Sequence, residues 1–400
     1  MEMLPVKGMI PMKHRWSKWA AGLLAGSLFM APVSHAAPPE DVPDVSLVLN
    51  GSTVQNGELE LHDGHAYIPA RKASELLGFF SQYEEASRTL TLLRPDVKLE
   101  MKLGDERAAI DGRTVKSEAA YAEEGQLYVP LRTLSTALKT RAGWNAAAAS
   151  ATLEDPGRYR MDSSGGQTAW VSFATGEVYS LEQGVPRKLQ GADVSGLKWG
   201  TVEMRGLGEQ AYLLTVEREY GASMQNVLNR YQFLVQKGAL SRQAHFRYSG
   251  LYTSGDQAPL ELPAQRAYLS DGQSIQVVGM GGRAAAEYDL EELTGQKGPF
   301  IVESVTADYL LVRPFDTLQP ILIELRTGEA ALLYKHLPEA AEIWAWDEVT
   351  HDVGEPLLLE ARLRLVKQEG DQLLFRYKRI APGADSGQEE SWSYTLKQGK

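Results

Sequence analysis

Residues 63–77 read DGHAYIPARKASELL, and residues 124–138 read EGQLYVPLRTLSTAL. A single offset of 61 residues lays Gly64 on Gly125, Tyr67 on Tyr128, Pro69 on Pro130, Arg71 on Arg132 and Leu77 on Leu138. An internal repeat constrains a fold more than composition does, because each copy is a unit that must bury its apolar face against a neighbour. Each copy has the same predicted parts. A Gly-containing turn leads into a short strand that ends at Ile68 or Val129, and a proline follows. Proline ends ladder pairing and suits the first turn of a helix, where its missing N–H costs nothing. The helix then places Ala73, Leu76 and Leu77, or Leu131, Leu134 and Leu138, at helical spacing. Gly78 is placed to cap the first helix.

The flanking segments read as strands. VSLVLNGSTVQ turns at Asn50-Gly51 and AAIDGRTV at Asp111-Gly112, both hairpin signals. TLTLL and VKLEMKL, residues 89–93 and 97–103, supply further strands before the module closes near Asp155. The expected result is an α+β module over residues 45–155.

Two strand–Pro–x–Arg–helix units joined by a strand meander resemble the copper amine oxidase N-terminal-like domain, also called the stalk domain. The resemblance rests on Tyr67, Pro69, Arg71, Tyr128, Pro130 and Arg132 and covers residues 45–155. It implies a non-catalytic domain of the kind found in exported proteins of spore-forming Gram-positive bacteria. After the second helix the family pattern calls for Gly, a hydrophobic strand and Trp-Asp. This chain has KTRAGWNAAAASATL, with Trp144-Asn145 and an alanine run, so a weakened final strand is expected. The resemblance stops short of oxidase chemistry. The catalytic domain of those enzymes needs an Asn-Tyr-Asp/Glu motif and a His-x-His pair. Here Glu287-Tyr288-Asp289 is the nearest echo, and the histidines after residue 36 are His62, His65, His245, His336 and His351.

Residues 156–400 differ in kind. Short alternating segments such as TAWVSF, DYLLVR, ILIELR and LLFRYK recur between turns such as Thr175-Gly176-Glu177 and Thr327-Gly328-Glu329. This pattern predicts an all-β domain, propeller-like first, with a β-sandwich or an open barrel as alternatives.

The first 36 residues read as a signal peptide. Lys13, Arg15 and Lys18 precede the apolar stretch 19–30, and Ser34-His35-Ala36 places small residues before Ala37. Met12 is an alternative start, and residues 37–44 form a Pro-rich acidic linker. No later run reaches the roughly 18 apolar residues of a membrane span. Removing residues 1–36 takes away four basic residues and one acidic one, moving the net charge from −11 to −14. Such a charge argues against nucleic-acid binding. Cysteine is absent, which excludes disulfides and a thiol nucleophile.

Three constellations invite chemistry. His62, Asp63 and His65 sit across a turn at metal-ligand spacing, against the plainer reading of a solvated hairpin tip. Gly279-Met280-Gly281-Gly282 follows a strand and precedes a helix-like stretch, imitating a dinucleotide fingerprint whose acidic position falls at Glu303. No series of βα units surrounds it. WAWDEVTHDVGE, residues 344–355, gathers Trp344, Trp346, Asp347, Glu348 and His351. On a strand both tryptophans share one face, either packed inward or forming a saccharide surface beside carboxylates. The sequence therefore points to a secreted, non-enzymatic binding or scaffold protein of the cell envelope without cofactor or metal. Its expected partners are cell-wall polysaccharide or a surface protein. The alternative is a secreted carbohydrate-active hydrolase acting through residues 344–355.

Overall fold

Extending the 61-residue offset beyond the two motifs brings nearly every element of the N-terminal module into register. The computed structural model describes residues 45–54, 59–222, 225–250, 266–349, 363–381 and 389–397. The leader and linker expected over residues 1–44 lie outside the described residues. The first copy runs β1 (Ser46–Leu49), β2 (Ser52–Val54), β3 (Glu60–His62), β4 (His65–Pro69), α1 (Ala70–Leu77), β5 (Phe80–Glu84) and β6 (Thr89–Arg94). After β7 (Val97–Lys102) the second copy follows: β8 (Arg107–Ile110), β9 (Arg113–Lys116), β10 (Tyr121–Glu123), β11 (Gln126–Pro130), α2 (Leu131–Ala137), β12 (Gly143–Asn145) and β13 (Ser150–Leu153). At the same offset β7 falls on Tyr159–Ser164, the first strand after the module. The predicted hairpin turns hold, with Asn50-Gly51, Asp63-Gly64, Asp111-Gly112 and Glu124-Gly125 all at positive φ.

The copies pair with each other. In the sheet ordered β10-β11-β4-β3, β4 and β11 run antiparallel with Val129 opposite Ile68, Pro130 opposite Tyr67 and Tyr128 opposite Pro69. Ile68 therefore faces its own repeat equivalent, which makes the pair a local two-fold. Two further contacts join a residue to its copy. Tyr121 donates to Glu60 at 3.3 Å, and Arg94 donates to Asp155 at 3.0 Å. Residues that touch their own symmetry mates lie near the axis, so these pairs trace it through the module. The remaining sheets obey the same relation by exchange. One is ordered β12-β13-β1-β2 and joins the last hairpin of copy two to the first of copy one. The other, β5-β6-β7-β8-β9, joins the last hairpin of copy one to the first of copy two across β7. The expected weak final strand is instead central. β13 pairs with β12 and, in parallel, with β1, while the Asn145 side chain accepts from Ala147 and Ala148 and orders the alanine run.

Each proline is the last strand residue and the cap of the following helix, one position earlier than the expected first turn. Pro69 has φ −54 and ψ 133, and Pro130 has φ −63 and ψ 128. That conformation suits a strand end and a helix entry alike. Leu77, Leu99, Val129 and Leu134, each fully buried, belong to the common core. The C-terminus of α1 leaves carbonyls that need donors. Arg160 donates to Leu76 O at 2.7 Å, Arg94 to Leu77 O at 2.9 Å and the Trp170 indole to Gly78 O at 2.9 Å. Arg160 and Trp170 come from β14 (Tyr159–Ser164) and β15 (Gln167–Ser172), so the next sheet docks on this helix end. Gly78 has φ +68, and a Cβ there would lie 2.8 Å from Tyr159 O.

Residues after 156 are mostly β, in several open sheets of the all-β or sandwich-like kind. Successive antiparallel meanders occupy residues 159–193, 201–250, 267–289, 300–332 and 364–395, each with three or four strands in chain order. No sheet among the described residues closes on itself. Among the described residues two short α-helices interrupt the β pattern, α3 (Leu290–Thr294) and α4 (Ala340–Val349).

Arg94 is the polar centre of the N-terminal module. Its buried guanidinium also holds Asp96 at 2.9 and 2.8 Å and lies over Phe79 and Tyr159. Replacing it with methionine strands Asp155 without its partner and should cost about 3–5 kcal/mol. The paired variant Arg94→Met/Asp155→Leu should recover part of that loss. Chemical denaturation of the three proteins measures both effects.

Candidate functional site

The two copies together build a groove, from the β3–β4 hairpin of the first and from the segment before β10 and the start of α2 in the second. His62 and His65 are opposed residues of the hairpin, yet their rings take different partners. His62 stacks on Tyr121 with centroids 4.7 Å apart, and Tyr121 stacks on Tyr128 at 4.8 Å. Tyr67 meets Tyr121 edge-on at 5.0 Å. Glu60 accepts from the Tyr128 hydroxyl at 2.6 Å as well as from Tyr121. The hydrogen bond to Glu60, with burial, pushes Tyr128 up to about 12. Burial and then Glu60 raise Tyr121, and burial followed by Glu118 and Asp63 raises Tyr67. All three phenols thus stay protonated through the neutral range.

His65 Nδ1 lies 3.5 Å from Glu118 Oε1, and Arg132 donates to the same oxygen at 3.4 Å. The Glu118 side chain is only 18% exposed. This polar triad is a ridge between two concavities. One, of about 340 Å³, is walled by Leu61, Pro130 and Trp144, whose residue is 50% exposed. The other, of about 700 Å³, is walled by His62, Tyr67 and Tyr121. His65, Glu118 and Arg132 line both. A wider, shallower depression of about 830 Å³ at residues 102–107 has no aromatic wall.

The two repeat arginines have separated in role. Arg132 faces the groove, whereas Arg71 pairs with Glu75 at 3.4 Å on the exposed side of α1. Tyr67 and Tyr128 are buried, and Pro69 and Pro130 turn strand into helix. Sequence reasoning missed Glu60, Glu118 and Tyr121 as site residues and treated Trp144 only as a departure from a pattern. The offset held one signal, since it places the bonded pair Glu60 and Tyr121 at the same repeat position.

The other constellations come apart. Among the described residues no group of three or more His, Asp or Glu side chains is arranged to hold a metal. The glycine run at 279–282 is a short 3-10 turn followed by a strand, Ala284–Asp289, where the fingerprint needs a helix. Glu303 is buried against Arg313. Asp289, the end of the Glu-Tyr-Asp echo, caps α3 by accepting from Glu292 at 2.9 Å.

Residues 344–348 require the largest correction. They lie in α4, so Trp344 and Trp346 do not share a face, because residues two apart on a helix point away from each other. Trp346 is 0% exposed and stacks against Tyr334, while Trp344 is 58% exposed. Asp347 pairs with Lys335 and accepts from Tyr334 at 2.8 Å, interactions that hold its carboxyl below the usual range. A carboxyl kept ionised in this way is a poor general acid. Glu348 is in the same helix, and His351 lies outside the described residues.

Trp346→Ala should therefore cost about 3–5 kcal/mol, and Trp344→Ala less than about 0.5 kcal/mol. Thermal unfolding of both variants, with iodide quenching of the wild type, measures the contrast. Equal costs for the two would contradict the helical placement.

No curated protein matches this sequence. Among solved structures, the dihydro-heme d1 dehydrogenase NirN in complex with DHE aligns at 9% identity over 63% of this chain and 65% of that one, with a TM-score of 0.22. A eukaryotic initiation factor aligns at 9% identity over 79% and 88% of the two chains, TM-score 0.19. A Pyrococcus horikoshii acylaminoacyl peptidase aligns at 7% over 85% and 52%, TM-score 0.17. Scores this low carry no inference about fold or activity. The N-terminal module is different: residues 48–171 match the family model described as the copper amine oxidase N-terminal domain, past residue 155 and through the strand that docks on α1, and this segment is a domain of that kind.

Proposed function

We propose that the chain is an exported, non-enzymatic binding or scaffold protein of the cell envelope. The observation that carries this reading is the match at residues 48–171, which is to a non-catalytic, stalk-like domain. Such a domain presents a surface and performs no amine oxidation. The order of the first 36 residues, basic then apolar then small, supports export. Among the described residues no helix is long and apolar enough to cross a membrane. The envelope partner is cell-wall polysaccharide or a surface protein. The meanders after residue 156 are read as propeller-like blades, since each repeats the same strand order along the chain. They would form a rigid body beside the stalk-like domain. The hydrolase alternative loses its motivating geometry with the helical placement of Trp344 and Trp346.

Expression in a Gram-positive host tests the reading in two ways. Mass spectrometry of the secreted and wall fractions should find an N-terminus near Ala37, and an intact Met1 or Met12 start there contradicts export. A peroxide assay over a panel of amines, with and without added copper, should show no turnover. Chelator-sensitive amine oxidation would refute the non-enzymatic assignment.

A further inference from the structure

We infer that the paired concavities at residues 61–67, 117–121, 130–132 and 142–144 are a glycan-binding groove for a neutral sugar chain, with the His65–Glu118–Arg132 ridge between two adjacent subsites. The inference rests on the envelope-binding reading and names its ligand class and site. Three observations support it.

The first is the walls. A pyranose presents an apolar C–H face that lies flat on an aromatic ring, and the groove offers such a ring in Trp144. Trp144 stands half-exposed in the smaller concavity, and the wall of the larger is the His62–Tyr121–Tyr128 stack, whose exposed member is His62. The His62–Tyr121–Tyr128 stack and the two hydroxyl bonds to Glu60 hold the Tyr121 ring in place.

The second is the sign of the polar groups. Sugar hydroxyls donate and accept together, so they match a site that places a carboxylate beside cationic or imidazole donors. Glu118 supplies acceptors, and Arg132 and His65 supply donors, within 3.5 Å of one shared oxygen. An anionic ligand would call for basic groups alone, and a cationic one for acidic groups alone. The net charge of −11 further disfavours an anionic polymer. The third is size and continuity. Both concavities, about 340 and 700 Å³, fall in the range of small-ligand sites, ~300–1,000 Å³. They share the ridge residues, so a chain filling both crosses the triad.

Calorimetry and affinity electrophoresis of the full chain test this with three probes of equal length: hexamers of β-1,4-linked glucose, of β-1,4-linked N-acetylglucosamine, and of anionic galacturonate. At least one neutral hexamer should bind, quench tryptophan emission and outcompete the galacturonate. Trp144→Ala and Glu118→Gln should each weaken that binding at least tenfold without moving the melting temperature of Trp144→Ala. Trp144→Phe should restore part of the affinity, and Trp344→Ala should change nothing. Binding of galacturonate alone, equal affinity of Trp144→Ala and wild type, loss of binding in Trp344→Ala, or no binding of either neutral hexamer overturns the groove. Co-sedimentation with purified cell walls separates the two readings. Wall binding that survives Trp144→Ala removes the groove and keeps the envelope role. Trp144-dependent hexamer binding without wall binding keeps the groove and removes the envelope role.

Discussion

Ile68 pairs with Val129, its own copy, and the N-terminal module is organised around that contact. A strand can lie antiparallel against its own repeat equivalent only about a two-fold axis. Once that axis exists, the end of each copy is led to the beginning of the other. The two outer sheets are the result, each mixing hairpins from both copies. Neither copy alone buries its helix and hairpins, which is the energetic reason that the repeat comes as a pair. The same axis passes Arg94 and Asp155, where the repeat has diverged into opposite charges that compensate each other in the core. Arg94 also reaches the end of α1, so the ion pair ties the symmetric module to the sheet that follows.

The groove lies where the two-fold is broken. The offset pairs Arg132 with Arg71, His65 with Gln126, Trp144 with Tyr83 and Glu118 with Gly57. Among the described residues the set from one side of the axis is joined into a ridge with concavities beside it. Repeats that first serve folding become free to diverge at exposed positions, because stability resides in the buried strand pair and helices. The buried Tyr67 and Tyr128 are kept in both copies, whereas His65, Glu118 and Trp144 in the groove have Gln126, Gly57 and Tyr83 as counterparts. This division separates what holds the module together from what the module presents to a partner.

Residues 340–349 show how a local pattern misleads. Trp-Ala-Trp alternates with period two and reads as a strand. The surrounding Ala340, Ala341 and Glu342 are strong helix formers, and tertiary contacts decide the outcome. Glu342 is buried and accepts the backbone N–H groups of Ile380 and Ala381, which anchors the helix to the last sheet. Trp346 then packs on Tyr334 while Trp344 turns to solvent. The Gly-rich run at 279–282 misleads for a related reason. Its glycines serve a tight turn between paired strands, and the alanines after it continue a sheet.

The sequence by itself determined the two-copy α+β module, the positions of its hairpin turns, the strand-to-helix switch at each proline and the β-rich character of the remainder. These follow from local chemistry: Asn-Gly and Asp-Gly adopt positive φ readily, proline cannot continue a ladder, and alternation marks half-buried strands. Which strands pair across the copies, that Arg94 meets Asp155 61 positions away, and that His65, Glu118 and Arg132 share one ridge were decided only by the tertiary structure. Those contacts join residues that no local pattern relates, and they come from the single arrangement in which two copies bury each other's apolar faces.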